Sequence, residues 1–230
     1  MENRPNRALI AGIFGAYYHI LPFIEHEGKR IFLPRLKAKT RGKLRIDYQE
    51  KNVGYKKLRE TLLAVGDVAT ISYDEKNLET AVITGVEARH NAIHRASFGR
   101  QQCLAANVDG VLVMASILSP DFSLGFVERS LAEIHIAGAK AALIVNKYDL
   151  VKKRIDETEN IFNYYEKIGI HDFRESVKIS LSEKLRNFLI QGTWLILGQS
   201  GTGKSTLLNR ALEGDIQSVG ELSLIEKGRH

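Results

Sequence analysis

A chain of 230 residues has room for one large or two modest domains and for a sizeable core. Its 44% hydrophobic and 26% charged content is ordinary for a globular protein, and no apolar run approaches the roughly 20 residues of a spanning helix. The single Cys103 excludes an internal disulfide framework and a multi-cysteine zinc site within these residues. Met1–Arg7 is polar and mixed in charge with no secretory apolar region behind it, so a soluble cytoplasmic protein is expected.

The first third of the chain reads as short strands. Ala8-Leu9-Ile10 leads to the turn-like Phe14-Gly15-Ala16, then Tyr17 to Leu21, closed by Pro22. Glu25-His26-Glu27-Gly28 is a polar turn before Arg30-Ile31-Phe32-Leu33. Further strands are predicted over Asp67–Tyr73 and Thr80–Ile83. Five short strands rich in β-branched and aromatic residues predict a small antiparallel barrel. An OB-fold, the five-stranded barrel that binds nucleic acid, fits best, although an SH3-like barrel gives much the same pattern.

The net charge of +6 falls entirely in this part. Residues 1–95 carry 17 Lys/Arg against 11 Asp/Glu, and residues 96–230 carry 16 of each. Between 29 and 59 the balance is 12 to 2. A basic module joined to a neutral one suggests that only the first meets a polyanion. Arg35, Lys37, Lys39, Arg41, Lys43 and Arg45 recur at every second or third position, a spacing suited to phosphate contacts that position a partner without reading its sequence. A solvated lysine-rich loop is the plainer alternative. Tyr17, Tyr18 and Phe32 could stack on bases or pack in the sheet with equal ease, and are not assigned to a site.

Beyond residue 95 the period changes. Gly110–Ala115 and Ala141–Val145 are continuous apolar runs of the kind buried on both faces of a parallel sheet. Phe122, Phe126, Val127, Leu131 and Ile134 recur at helical spacing, as do Ile161, Phe162, Tyr165 and Ile168. Val177-Lys178-Ile179 is predicted as a third strand, Ser182–Ile190 as a short helix, and Trp194–Leu197 as a fourth strand. Leu207, Leu208, Ala211 and Leu212 line one face of a closing helix. Alternating strands and helices predict an α/β domain with a parallel sheet.

Two loops on that sheet carry chemistry. Gly198-Gln199-Ser200-Gly201-Thr202-Gly203-Lys204-Ser205, with Thr206 following, fits the phosphate-binding pattern G-x-x-x-x-G-K-[ST] between a strand and a helix. Glycines let backbone N–H groups approach and cradle a phosphate chain at a helix N-terminus. Lys204 would neutralise the β- and γ-phosphates, and the Ser205 hydroxyl would ligate Mg2+. A chance match in a chain of this length is on the order of 1%, low enough to set aside a mere helix-capping turn.

Upstream by 52 positions stands Asn146-Lys147-Tyr148-Asp149. Guanine presents two adjacent donors, N1–H and the exocyclic amine, and a carboxylate such as Asp149 can accept both. Adenine offers an acceptor at N1 and would leave that carboxylate unpaired. Asn146 can brace the loop and the Lys147 stem can lie across the base. Ser180 with Leu181, just past Val177-Lys178-Ile179, fits a third loop whose backbone meets the guanine oxygen. Asp149 argues against an ATP-dependent kinase or transporter-like ATPase. In ordinary GTPases the phosphate loop precedes the base motif. Here the order is reversed, which points to a circularly permuted GTPase.

The chain resembles the small ribosomal subunit biogenesis GTPases of the RsgA family. The resemblance rests on Arg41-Gly42-Lys43-Leu44-Arg45, Val65-Gly66-Asp67, Arg95, Ala105–Asp109, Pro120-Asp121-Phe122, Asn146–Leu150, Gly198–Thr206 and Gly228-Arg229-His230. It implies an OB-fold over residues 1–95, a permuted GTPase domain over 96–230, and GTP, GDP and Mg2+ as ligands. It also implies binding to the small subunit and its rRNA, subunit-stimulated hydrolysis and a monomeric factor. The alternative is an RNA-binding module whose guanine-nucleotide domain does not hydrolyse. In the family, Gly-Arg-His leads into a threonine-rich switch, a D-x-x-G segment and a zinc-binding module. Those segments do not occur in these 230 residues, so the chain is expected to be C-terminally incomplete and short of full activity, with any zinc site beyond residue 230. The stretches Ala96–Gln102 and Ile179–Glu183 are also shorter than the family pattern. His90 and His94 lack a third ligand, and Cys103 reads as a packed small residue rather than a nucleophile.

Overall fold

Alternation along the first strands sets the architecture of the N-terminal part. In β1 (Arg7–Phe14) Ala8 and Ile10 are fully buried, and β2 (Tyr17–His26) buries Ile20 and Leu21. The computed structural model describes residues 4–40, 63–73, 79–97, 100–150 and 155–213. Arg41, Lys43, Arg45, Arg41–Arg45 as a motif, and Gly228-Arg229-His230 lie outside them.

After β2 come β3 (Lys29–Phe32), β4 (Leu36–Thr40), β5 (Val68–Tyr73) and β6 (Thr80–Val86). β1 pairs antiparallel with both β2 and β5; β2 pairs with β4, β4 runs parallel to β6, and β6 returns antiparallel to β5. Five strands therefore close on themselves in the order β1-β2-β4-β6-β5, the closed barrel of an OB-fold. Register shifts at Ile10/Gly12 and Thr70/Ile71 are bulges of the kind that bend strands round a tight barrel. The interior is filled by small and branched residues: Ala8, Ile10, Ile20, Ala38, Ala69, Ile71, Ala81 and Ile83.

The third strand of the chain, β3, stands outside the ring. The sequence placed Arg30–Leu33 in the ring, whereas β3 only extends β2 as a hairpin and the ring position belongs to Leu36–Thr40. Leu-Lys-Ala-Lys-Thr has no apolar run. It has a period of two, with Ala38 inward and Lys37 and Lys39 in solvent.

The segment between β6 and the sheet domain is tied to the barrel by a buried ion pair. Arg89 reaches Asp67 through Nε to Oδ1 at 2.6 Å and Nη2 to Oδ2 at 2.8 Å, and Oδ2 also accepts the Ala64 N–H at 2.7 Å. Next to it, Gly66 has φ +92°, and a Cβ there would lie 1.9 Å from the Ala106 carbonyl oxygen. Only glycine fits. β7 (Ala92–Ser97) and β8 (Arg100–Ala106) form an antiparallel hairpin that periodicity does not indicate. A first compact unit runs through Asn107, and a second begins at Val108.

In the second unit β9 (Gly110–Ser116), β10 (Lys140–Asn146), β11 (His171–Arg174) and β12 (Trp194–Gly198) make a parallel sheet in the order β11-β10-β9-β12. All seven residues of the central β9 are buried, as expected of a strand covered on both faces. Helices α1 (Leu124–Ile136), α2 (Ile155–Lys167), α3 (Glu183–Leu189) and α4 (Lys204–Glu213) connect and cover the strands. Leu112, Met114, Ala142, Ile144 and Phe173 pack with Leu185 of α3 and with Leu207 and Ala211 of α4. Val111, Val113, Leu143 and Val145, also fully buried, alternate to the opposite face.

The third strand is also corrected. It is His171–Arg174, and Val177–Ile179 is a turn. His-Asp-Phe-Arg lacks the apolar run of an interior strand because β11 is the sheet edge. Val177 is buried in the core beneath its turn rather than in a ladder.

Candidate functional site

Sheet register brings the two motif loops to one edge. Asn146, the last residue of β10, pairs with Ser116 at the end of β9, and Gly198, the last residue of β12, pairs with the neighbouring Met114. Three strands thus release their loops side by side at their carboxyl ends, where open α/β sheets hold ligands.

The phosphate-type loop leaves β12 at Gly198 and enters α4 at Lys204. Gly198 and Gly203 are required by close approach: a Cβ on the first would meet the Met114 carbonyl oxygen at 2.5 Å, and on the second Asn146 Nδ2 at 2.3 Å. Gly203 also has φ +102°. Thr202, fully buried, folds its hydroxyl onto the Gln199 carbonyl at 2.9 Å. Lys204 Nζ donates to the carbonyls of Gly198 at 2.9 Å and Gln199 at 2.8 Å. Burial holds this ammonium below its ordinary pKa, and among the described residues no carboxylate pairs with it. A half-buried cation aimed into a glycine cradle is chemistry suited to an anion. Gln199, Ser200, Gly201, Ser205 and Thr206 complete the loop and the first turn of α4, with Ser205 exposed.

Asn146 is the clasp. Only 3% exposed, it donates from Nδ2 to the Thr202 carbonyl at 2.7 Å and accepts the Val177 N–H on Oδ1 at 3.0 Å. One side chain thereby joins the phosphate-type loop, its own loop and the turn after β11. Lys147, at φ +61°, donates to the Ser119 carbonyl in the loop after β9. A Cβ on Gly201 would lie 3.5 Å from Pro120 Cδ, so the Pro120 segment borders the phosphate-type loop too. Ser116 Oγ donates to the Pro120 carbonyl at 2.7 Å.

Tyr148, Asp149 and Leu150 form a single 3-10 turn. The Tyr148 N–H donates to the Glu175 carbonyl at 3.1 Å, and the Asp149 N–H to Ser176 Oγ at 3.0 Å. Asp149 is exposed and open to a ligand. Glu175 is buried, and its carboxylate accepts both the N–H, at 3.1 Å, and the hydroxyl of Ser182. Ser182 Oγ in turn accepts the Leu185 N–H at 3.2 Å, capping α3.

Ser180 lies at the far end of this turn, bonded back to the Ser176 carbonyl at 3.1 Å, and Leu181 is buried in the core. The residue that the fold brings to Asp149 is Ser176, which the motifs do not single out. Its signal is a serine just before a buried valine, masked when 177–179 is taken for a strand.

The barrel carries a second surface. A two-residue turn, Gly15-Ala16, sets Phe14 opposite Tyr17, and their rings stack at 5.5 Å with 15° between planes. The His19 ring lies 4.4 Å from that of Phe14, and Phe14 is 44% exposed. Across the sheet His19 pairs with Lys37, whose Nζ lies 5.5 Å from the Tyr17 ring centroid. Burial, then the charges of Arg35 and Lys37, hold the His19 imidazole below its ordinary pKa. Arg35, Lys37 and Lys39 are all exposed. Of the aromatic residues weighed from sequence, Tyr17 belongs to this surface, whereas Tyr18 packs against the barrel core and Phe32 against Phe23.

Residues 86–230 match the family model described as RsgA GTPase. The small ribosomal subunit biogenesis GTPase RsgA of Haemophilus influenzae (strain PittEE) is 34% identical over 173 residues, covering 72% of this chain and 50% of the relative. Its namesake in Lactobacillus acidophilus is 32% identical over 170 residues, covering 73% and 54%. The chain thus spans about half the length of the curated relatives it matches. Among solved structures, YjeQ from Thermotoga maritima superposes with a TM-score of 0.63 at 23% identity, over 91% of this chain and 66% of that one. YloQ, a circularly permuted GTPase, gives 0.58 at 21%, over 90% and 64%. At these identities the two structures speak for the fold.

Proposed function

The chain belongs to the RsgA GTPase family, and on that premise we propose that it is a guanine-nucleotide-binding, GTP-hydrolysing factor acting in maturation of the small ribosomal subunit. The observation that carries this reading is the Asn146 clasp, which joins a phosphate-type loop to a loop with the residues to read guanine.

Each residue has a part in that reading. The N–H groups of Gly198–Thr206 and the start of α4 cradle the phosphates, and Lys204 exchanges its two carbonyl partners for phosphate oxygens. That exchange restores an anionic partner to a partly desolvated ammonium. Asp149 accepts guanine N1–H and the 2-amine, and Lys147 flanks the ring. The turn 176–180, with Ser176 holding the Asp149 backbone, faces the base oxygen. Ser205, exposed in the first turn of α4, would offer its hydroxyl oxygen to a Mg2+ ion, a hard cation that keeps waters and takes oxygen ligands from phosphates. When bound, the ion would supply positive charge to offset that of the phosphates.

For the barrel, Arg35, Lys37 and Lys39, with Arg41, Lys43 and Arg45 following in sequence, would track an rRNA backbone. Phe14, Tyr17 and His19 would offer ring faces to unpaired bases. Stimulation of hydrolysis by the small subunit and action in the cytoplasm complete the reading. The nucleotide claim is tested by titrating the chain with GDP and ADP. A GDP preference of at least about 100-fold is expected from one carboxylate left unpaired by adenine, and equal affinities would refute it.

A further inference from the structure

We propose that Glu159 of α2 is a positioning residue for guanine selectivity, acting through the Tyr148 hydroxyl on the adjoining carboxylate of Asp149; this rests on Asn146–Asp149 being the base loop. Tyr148 and Asp149 are successive residues of one three-residue 3-10 turn, so the backbone that the Tyr148 side chain anchors also carries the Asp149 carboxylate. The turn's inner anchors are two backbone N–H bonds, to Glu175 and Ser176. Its outer anchor is a side chain: Tyr148 donates its hydroxyl to Glu159 Oε1 at 2.8 Å.

Glu159 is itself held. Arg174 Nη1 reaches both carboxylate oxygens at 2.8 Å, while Arg174 Nε donates to Asp172 at 3.2 Å. The guanidinium lies 4.7 Å from the Phe162 ring centroid, and the Tyr148 ring stands 6.3 Å from the same ring. Glu159 and Arg174 are each only about one-third exposed. The Tyr148 hydroxyl, first, and then Arg174 keep the Glu159 carboxyl below its ordinary range, so it is an ionised acceptor at neutral pH. A chain of hydrogen bonds thus runs from the sheet edge through α2 to the residue beside Asp149. No phosphate-type loop residue takes part in it.

The consequence is selective. A carboxylate that turns slightly loses one of two donors, and hypoxanthine, which lacks the 2-amine, has less to lose than guanine. The test titrates the 230-residue chain, Tyr148→Phe, Glu159→Ala and Glu159→Gln with GDP, IDP and ADP. Removing the hydroxyl or the acceptor is expected to weaken GDP about five-fold, the worth of one hydrogen bond, and IDP less than about two-fold. Glu159→Gln keeps an acceptor and should retain most of the GDP/IDP ratio. Loss of structure alone would lower both affinities and the thermal midpoint together. An unchanged GDP/IDP ratio in both Tyr148→Phe and Glu159→Ala overturns the proposal. Equal GDP and ADP binding in the unmodified chain overturns the base-loop reading and the proposal with it, and the same titration reports that separately.

Discussion

Asn146 and Thr202, 56 positions apart in sequence, are joined by a hydrogen bond of 2.7 Å from the amide of one to the carbonyl of the other. The same amide's oxygen takes the Val177 N–H at 3.0 Å. Both partners are backbone groups that the fold has already removed from water. Asn146→Ala should therefore leave two buried groups unsatisfied and cost about 2–4 kcal/mol in nucleotide affinity, stability or both. Calorimetric titration with GDP is expected to show at least a ten-fold loss. Asn146→Asp should be no rescue, because a carboxylate cannot donate to the Thr202 carbonyl.

Burial separates two of the arginine ion pairs of the barrel unit. Arg89 and Asp67 are 7% and 0% exposed, whereas Arg7 and Glu87 are 34% and 40% exposed. Arg89→Ala strands a buried carboxylate and should destabilise by about 3–5 kcal/mol. Arg7→Ala should cost no more than about 1 kcal/mol, as for solvent-screened pairs. Denaturant melts of the two variants provide the comparison, and equal effects would contradict it.

Tyr165 gives a prediction about pH. It is 1% exposed, its hydroxyl has no partner among the described residues, and burial, first, with the charges of Glu128 and Tyr164 pushes its pKa up to about 12. From about pH 10 upward the unfolded phenol ionises while the buried one stays protonated. The unfolded state is then favoured, and stability should fall by on the order of 1 kcal/mol per pH unit until the folded group also titrates. Tyr165→Phe should be neutral or mildly stabilising at pH 7 and should flatten this alkaline loss, as read by urea melts from pH 8 to 11.

The barrel surface makes a prediction about salt. Lys37→Glu with Lys39→Glu should weaken binding to the small ribosomal subunit and reduce the logarithmic salt slope by roughly 0.7–0.9 for each phosphate that a lysine no longer neutralises. Tyr17→Ala should weaken binding with little change of slope, because stacking releases no counterions. An unaltered slope in the lysine variant would make this face solvated surface.

The two motif loops were legible from sequence as loops because their residue types recur at fixed spacing, and the structure shows why two of the glycines stand where they do: a Cβ would strike the Met114 carbonyl at Gly198 and Asn146 at Gly203. The buried strands β9 and β10 were legible because both faces are covered, leaving uninterrupted apolar runs. What escaped was whatever rests on half-exposed elements. β4 hides one inward alanine between lysines, β11 is an edge strand without an apolar run, and the β7–β8 hairpin has no alternation long enough to read. Ser176 and Glu159 reach the Tyr148–Asp149 turn only through tertiary hydrogen bonds spanning 27 and 11 residues, which no local pattern reports.

On the proposed function, Asp149 reads the base by accepting two donors. Xanthine keeps N1–H but carries an oxygen in place of the 2-amine, so an amide side chain suits it better than a carboxylate does. Titrating the chain and its Asp149→Asn variant with GDP and XDP tests this most directly. The unmodified chain should prefer GDP, and Asp149→Asn should lose at least about 2 kcal/mol for GDP while gaining affinity for XDP, inverting the order. Equal, unchanged preferences in the two proteins would contradict the assignment of this loop to guanine.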